Sequence, residues 1–231
     1  MRLLLAPFLF SITFSQQSTV LESALSVAKK GNFQQAREIL LADVRNPDFP
    51  NRPVLHQMAR NFHIGSLSDE LADFRVAEHE FHVAESLCKT GQLGLECSLV
   101  VWNALASLYL EFGRTGQAER VLRKASNSTP ETLGANHTEL LRYWCNLGAL
   151  AYVKDNSSQS IEWIRRAIDG WTAIGQTNSV EAAITRNSLG LSYLKIGDAE
   201  SAVLVGPGYC QCRGRRLYRD GRASSRGDSK S

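Results

Sequence analysis

The sequence has few aromatic residues and lacks the common catalytic motifs. Only 8% of its 231 residues are Phe, Trp or Tyr, which disfavours a large aromatic core and suits helices packed through Ala and Leu. It contains no nucleophile elbow G-x-S-x-G, no phosphate-binding loop and no dinucleotide fingerprint. We therefore expect no enzymatic activity and no cofactor.

The net charge is also small outside the end of the chain. Residues 205–231 hold seven Lys and Arg against two Asp, whereas the other 204 residues hold 19 basic and 21 acidic residues. The near-neutral body has no basic face of the kind that binds nucleic acid. We therefore expect no nucleic-acid partner.

The N-terminus has the features of an export signal. Arg2 precedes the apolar stretch Leu3 to Phe14, and small residues follow at Thr13 and Ser15. Twelve largely apolar residues are too few to span a bilayer, which takes roughly 20. We predict a signal peptide over 1–15 and an exported protein, periplasmic or secreted. The alternative is a buried first helix in a cytoplasmic protein. No later stretch is apolar enough to predict a membrane span.

Small residues recur along the chain at a nearly constant spacing. The anchors Ala24, Gly65, Ala106, Gly148 and Gly190 lie 41, 41, 42 and 42 residues apart. Each is followed twelve residues later by another small residue. An internal period of this length is typical of arrays of helical repeats.

The third copy indicates why small residues recur. It reads WNALASLYLEFGRTGQAERVLRKA from Trp102 to Ala125. We predict an antiparallel pair of helices, A and B, whose backbones approach closely at Ala106 and Ala118. Gly113 is predicted to end helix A with a left-handed turn.

The same copy carries a longer signature, at Trp102, Leu105, Ala106, Tyr109, Ala118, Leu122 and Pro130. It resembles the tetratricopeptide repeat pattern W-x₂-L-G-x₂-Y, A-x₃-F and P. The longer period and ETLGANHTELLRYWCNLG (Glu131 to Gly148) resemble the kinesin-light-chain type. The resemblance implies an all-α fold, a right-handed superhelix (α-solenoid) of about five stacked helix-turn-helix repeats over 18–204. A HEAT or armadillo array is the alternative, which the spacings disfavour.

The resemblance implies a scaffold that binds an unidentified protein or peptide in a groove lined by the A helices. An Asn amide in such a groove has both a donor and an acceptor for a peptide backbone. Offsets from the anchors give the candidates His63, Asn103, Ser107, Arg142, Asn146, Tyr152 and Asn187. The same offsets give Phe62, Ser66 and Asp69. The alternative function is a truncated binding or regulatory arm of a larger enzyme, such as a repeat-linked protease.

Some relatives hold a C-terminal carboxylate in a clamp of Lys, Asn, Lys and Arg. Val100 and Ala104 occupy positions where the third copy would need charged or Asn residues, which argues against this mode. His79 and His82 in HEFH lack a third ligand at a convincing spacing, so no metal site is predicted.

The cysteines leave one question open. Cys88 lies near the predicted end of helix B in the second copy, and Cys97 near the start of helix A in the third. They form either a disulfide, which an oxidising compartment favours, or two separate half-buried thiols. Cys145 is predicted to pack within its own hairpin.

The repeat pattern stops inside the fifth copy. Gly206, Pro207 and Gly208 interrupt its helix B, and the rest of 205–231 is rich in Arg, Gly and Ser, which predicts disorder. Three explanations stay open: out-of-frame translation, a genuine basic tail that contacts an anionic surface, and an adhesion site at RGDS (226–229).

Overall fold

The chain folds into ten α-helices over the part that the structure describes. The structure is a computed structural model and describes residues 19–128 and 130–205. The predicted signal peptide and all but the first residue of the predicted tail lie outside these residues. The helices are α1 (Thr19–Lys29), α2 (Phe33–Val44), α3 (Val54–Glu70), α4 (Phe74–Thr90), α5 (Gly94–Glu111), α6 (Thr115–Ser126), α7 (Thr138–Val153), α8 (Ser157–Ala173), α9 (Val180–Lys195) and α10 (Ala199–Leu204).

The helices form five hairpins that stack one after another as an all-α solenoid. Each odd-numbered helix packs against the even-numbered helix that follows it, and each even-numbered helix from α2 to α8 packs against the next hairpin. Consecutive odd-numbered helices from α3 to α9 also contact one another. Within 19–128 and 130–205, no helix has the length and apolar character to cross a bilayer.

The two helices of a hairpin approach each other closely at the predicted small residues. A Cβ atom added to Gly65 would lie 3.3 Å from the carbonyl oxygen of Ala77, and one added to Gly148 would lie 3.3 Å from that of Ser160. Both pairs are separated by twelve residues, so the predicted register is confirmed. The alanines at equivalent positions are fully buried: Ala24, Ala36, Ala106 and Ala118.

A left-handed residue closes the turn between the two helices of every hairpin. The φ angle is +84° at Gly31, +70° at Gly113 and +82° at Gly197. Two equivalent positions carry a side chain, Ala72 with φ +58° and Asp155 with φ +60°. The prediction for Gly113 is confirmed, and the same turn recurs at the period of the anchors.

Replacing Ala72 with Gly is expected to stabilise the protein by about 1 kcal/mol. An L-residue in the left-handed region costs about 1–2 kcal/mol that Gly does not, and the greater freedom of Gly in the unfolded chain offsets part of this gain. The free energy of unfolding in urea measures the effect. Ala42→Gly, at an exposed position inside α2, is the control and should lose about 0.5–1 kcal/mol. A lower free energy of unfolding for both variants would contradict the prediction.

Candidate peptide-binding groove

A cavity of about 190 Å³ lies along the odd-numbered helices α3, α5, α7 and α9. The even-numbered helices α4 and α8 complete it with one aromatic side chain each. Its apolar lining consists of Phe62, Leu67, Phe81, Val100, Ala104, Trp171 and Ile184. Four of the five hairpins therefore contribute to one opening.

Four of the seven predicted groove residues line this cavity. They are Asn103, Ser107, Arg142 and Asn146. Phe62, Ser66 and Asp69, which the same offsets give, also line it. The other three candidates, His63, Tyr152 and Asn187, are not among the lining residues.

Asn103 joins two neighbouring hairpins. Its side chain is buried, and its amide nitrogen donates to the backbone carbonyl of Glu139 at 2.8 Å and to the Glu139 carboxylate at 3.0 Å. α7 already engages this amide, so Asn103 joins α5 to α7, and its contact with a partner stays a prediction.

Asn146 has a more open position on the cavity wall. It is half-buried, and its amide nitrogen donates to the backbone carbonyl of Asn103 at 3.1 Å and to the side-chain oxygen of Asn103 at 3.3 Å. Its own side-chain oxygen accepts no hydrogen bond from the residues at 19–128 and 130–205. That oxygen therefore keeps its capacity to accept a hydrogen bond.

Arg142 connects carboxylates from two helices. Its guanidinium lies 2.8 Å from Glu139 and 3.4 Å from Glu181. These two glutamates are 42 residues apart and occupy the first turns of α7 and α9. The charge of Arg142 is thus balanced within the wall of the cavity.

The three candidates that do not line the cavity differ in burial and in the groups that they contact. Burial lowers the pKa of His63 to about 4, and Arg60 acts in the same direction, so His63 is neutral at pH 7. The ring of Tyr152 lies 4.3 Å from the ammonium of Lys195, which also donates to the Tyr152 carbonyl at 2.7 Å. Asn187 is half-buried on α9.

The position three residues before an anchor contacts the following hairpin. Asn103 at this position contacts α7 through Glu139, and the Sγ atom of Cys145 lies 3.2 Å from Oγ1 of Thr185 on α9. Cys145 also packs against the cluster that contains Ala167 and Trp171 of α8, so the prediction that it packs within its own hairpin is confirmed. Thr185 adds a contact with the next hairpin. Asn187 also lies three residues before its anchor, whereas Asn146 lies two residues before its anchor. The three Asn residues therefore do not occupy equivalent positions in their repeats.

Several lining residues were not predicted from the sequence: Glu70, Glu139, Cys145, Glu181, Ile184 and Thr185. The repeat period itself was a signal for two of them, because Glu139 and Glu181 are separated by one period. Ile184 lies one period after Arg142. The remaining positions depend on how successive hairpins stack.

The second histidine of HEFH, His82, has two hydrogen-bonding partners. Nδ1 of His82 lies 3.3 Å from Glu85, and Nε2 lies 3.1 Å from the hydroxyl of Tyr109. The hydrogen bond to Glu85 raises the pKa of His82. Over 19–128 and 130–205, no group of three or more metal-ligating side chains is present.

The chain is similar to known repeat proteins in both sequence and fold. The tetratricopeptide repeat model matches residues 99–132, which contain most of the third copy. The chain therefore contains a tetratricopeptide repeat at these residues. Its fold is similar to that of BtubC (BKLC) from P. vanneervenii, with 19% identity, 92% of this chain and 83% of that chain covered, and a TM-score of 0.62.

A second similar fold belongs to TPR-like kinesin light chain repeats from Podosopora anserina. Identity is 15%, the match covers 90% of this chain and 96% of that chain, and the TM-score is 0.61. No curated protein matches the sequence of this chain. At these identities the two structures establish the fold alone, and they favour the tetratricopeptide array over a HEAT or armadillo array.

The apolar lining bears on the carboxylate-clamp mode of binding. Val100 and Ala104 line the cavity, at two positions where a carboxylate clamp would need polar side chains. Aliphatic groups donate no hydrogen bond to a carboxylate. The absence of the clamp mode stays a prediction.

Proposed function

We propose that this tetratricopeptide repeat array is a protein-interaction scaffold that binds an extended peptide or protein segment in the cavity. The supporting observation is that four successive hairpins contribute to one opening with both an apolar lining and polar groups. Repeat arrays of this kind use their inner surface to bind other proteins, and the fold is generally a non-catalytic scaffold. The alternative, an arm of a larger enzyme, would use the same cavity.

Asn146 is the best single residue with which to test this proposal. In the proposed complex its side-chain oxygen accepts a backbone N–H of the ligand, so one hydrogen bond is lost in Asn146→Ala. We expect binding of the selected peptides to weaken by about three- to tenfold, the effect of one such bond. Nine-residue peptides that bind the full chain are first selected from a random display library. Their dissociation constants are then measured by fluorescence anisotropy.

Two further asparagines provide matched controls. Asn187→Ala changes a half-buried Asn on α9 that does not line the cavity, and should leave peptide affinity unchanged. Asn103→Ala should lower the free energy of unfolding by about 1–3 kcal/mol, because it removes a buried amide that is hydrogen-bonded to α7. If no peptide is selected, or if Asn146→Ala loses stability and affinity equally, the proposed function fails.

A further inference from the structure

The charges that line the cavity are mostly of one sign. Asp69, Glu70, Glu139 and Glu181 contribute four carboxylates, and Arg142 contributes one guanidinium. Four negative charges and one positive charge give a formal net charge of −3 at neutral pH. The acidic residues come from α3, α7 and α9, so negative charge is present at both ends of the row of helices.

Arg142 is poorly placed to bind an acidic partner. Its guanidinium already lies within 2.8 Å of Glu139 and 3.4 Å of Glu181. An acidic segment would have to displace one of these carboxylates and would also approach Asp69 and Glu70. Juxtaposed like charges are unfavourable, so the cavity disfavours acidic ligands.

The cavity as a whole has room for one large side chain. Phe62, Val100, Ala104 and Ile184 contribute to its walls. Its volume of about 190 Å³ exceeds that of an apolar cavity of about 150 Å³ that binds benzene. A single aromatic ring of the ligand therefore fits beside the carboxylates.

We infer that the cavity binds an extended cationic segment in which one aromatic residue lies between Lys or Arg residues. In an extended chain, residues two apart point the same way and lie about 6.6–6.8 Å apart. A basic residue two positions before or after the aromatic residue therefore reaches the acidic groups while the ring enters the cavity. Charge-assisted hydrogen bonds to carboxylates are stronger than neutral ones. This inference rests on the proposed function.

Three synthetic nine-residue peptides test the inference on the full chain. The first has a central Phe with Arg two positions before and after it, and Gly or Ser elsewhere. The second replaces both Arg with Glu, and the third replaces Phe with Ala. We expect the first peptide to bind at least about tenfold more tightly than either of the others, as measured by fluorescence anisotropy.

Salt gives a second measurement that needs no variant. Affinity for the first peptide should fall as salt rises from about 0.1 M to about 1 M, because the screening length falls from about 10 Å to about 3 Å. All comparisons use the full chain, so its own basic residues at 205–231 contribute equally to each.

A pair of neutral substitutions tests which carboxylates attract the ligand. Asp69→Asn with Glu70→Gln keeps the side-chain shapes. The double variant should lower the affinity for the first peptide by about tenfold and should make that affinity less dependent on salt. The matched control is Glu22→Gln with Glu200→Gln, which makes the same charge change at exposed positions outside the cavity. Thermal unfolding of both double variants verifies that they are folded.

The outcomes separate this inference from the proposed function. If the Glu peptide binds as tightly as the Arg peptide and Asn146→Ala weakens it, the cavity binds peptides but the cationic preference is wrong. Equal effects of the two double variants would also overturn the preference. If library selection and all three peptides give no binding, both the inference and the proposed function fail.

Discussion

Replacing Asp43 with Asn is expected to destabilise the protein by about 3–5 kcal/mol. The Asp43 carboxylate lies 2.6 Å from Arg60 and 2.8 Å from Arg52, and the side chain of Arg60 is only 3% exposed. Burial lowers the pKa of Arg60, and the charge of Asp43 acts in the opposite direction. The neutral amide of Asn removes that opposing charge and leaves a buried guanidinium poorly compensated.

The location of this ion pair decides which part of the molecule is affected. Asp43 lies on α2 and Arg60 on α3, so the pair connects the first hairpin to the second. In a repeat array each unit contacts only its neighbours, and we expect the first hairpin to unfold at a lower urea concentration than the rest. Circular dichroism during urea titration measures this.

A second Arg–Asp pair between the same two hairpins provides the control. Arg37 lies 3.0 Å from Asp73, whose side chain is 39% exposed. Asp73→Asn should cost less than about 1 kcal/mol, because partly exposed ion pairs contribute little. In addition, Arg60→Met in the Asp43→Asn background should recover part of the loss by removing the buried charge. Similar losses for Asp43→Asn and Asp73→Asn would contradict the argument.

Replacing both Cys88 and Cys97 with Ala is expected to cost about 2–3 kcal/mol. The structure joins these cysteines in a disulfide between α4 and α5, with a sequence separation of nine residues and a Cα–Cα distance of 5.8 Å. Closing a loop of about ten residues in the unfolded chain corresponds to about 2.7 kcal/mol of stabilisation. The free energy of unfolding in urea, measured without reductant, determines the loss.

Reductant provides the control for this prediction. Dithiothreitol should destabilise the unmodified protein by a similar amount and should leave the Cys88→Ala, Cys97→Ala double variant unchanged. If reductant present throughout the urea titration, where unfolding exposes the buried bond, leaves the unfolding of the unmodified protein unchanged, the two thiols are unpaired in solution. Disulfides persist mainly in oxidising compartments, so the bond supports our proposal that the protein is exported.

The sequence by itself determined the repeating unit of this protein. The period of 41–42 residues, the small residues at the helix crossings and the left-handed position after helix A could all be read from it. These features are local: close approach at Gly65 or Gly148 requires a small residue, and the turn at Gly113 favours one without a side chain. The all-α solenoid followed because each hairpin must bury its apolar side against a neighbour.

Only the tertiary structure decided which contacts the individual candidate residues make. Successive residues on a helix are rotated by about 100°, so an offset of one position separates Asn103, which contacts Glu139, from the more open setting of Asn146. The two cysteines were compatible with a disulfide or with free thiols until the packing of α4 on α5 placed them together. Glu139, Glu181 and Arg142 meet because α7 and α9 stack side by side. Such contacts depend on the angle and rotation between successive hairpins. Many packed side chains determine this geometry together, so it cannot be read from the sequence of a single repeat.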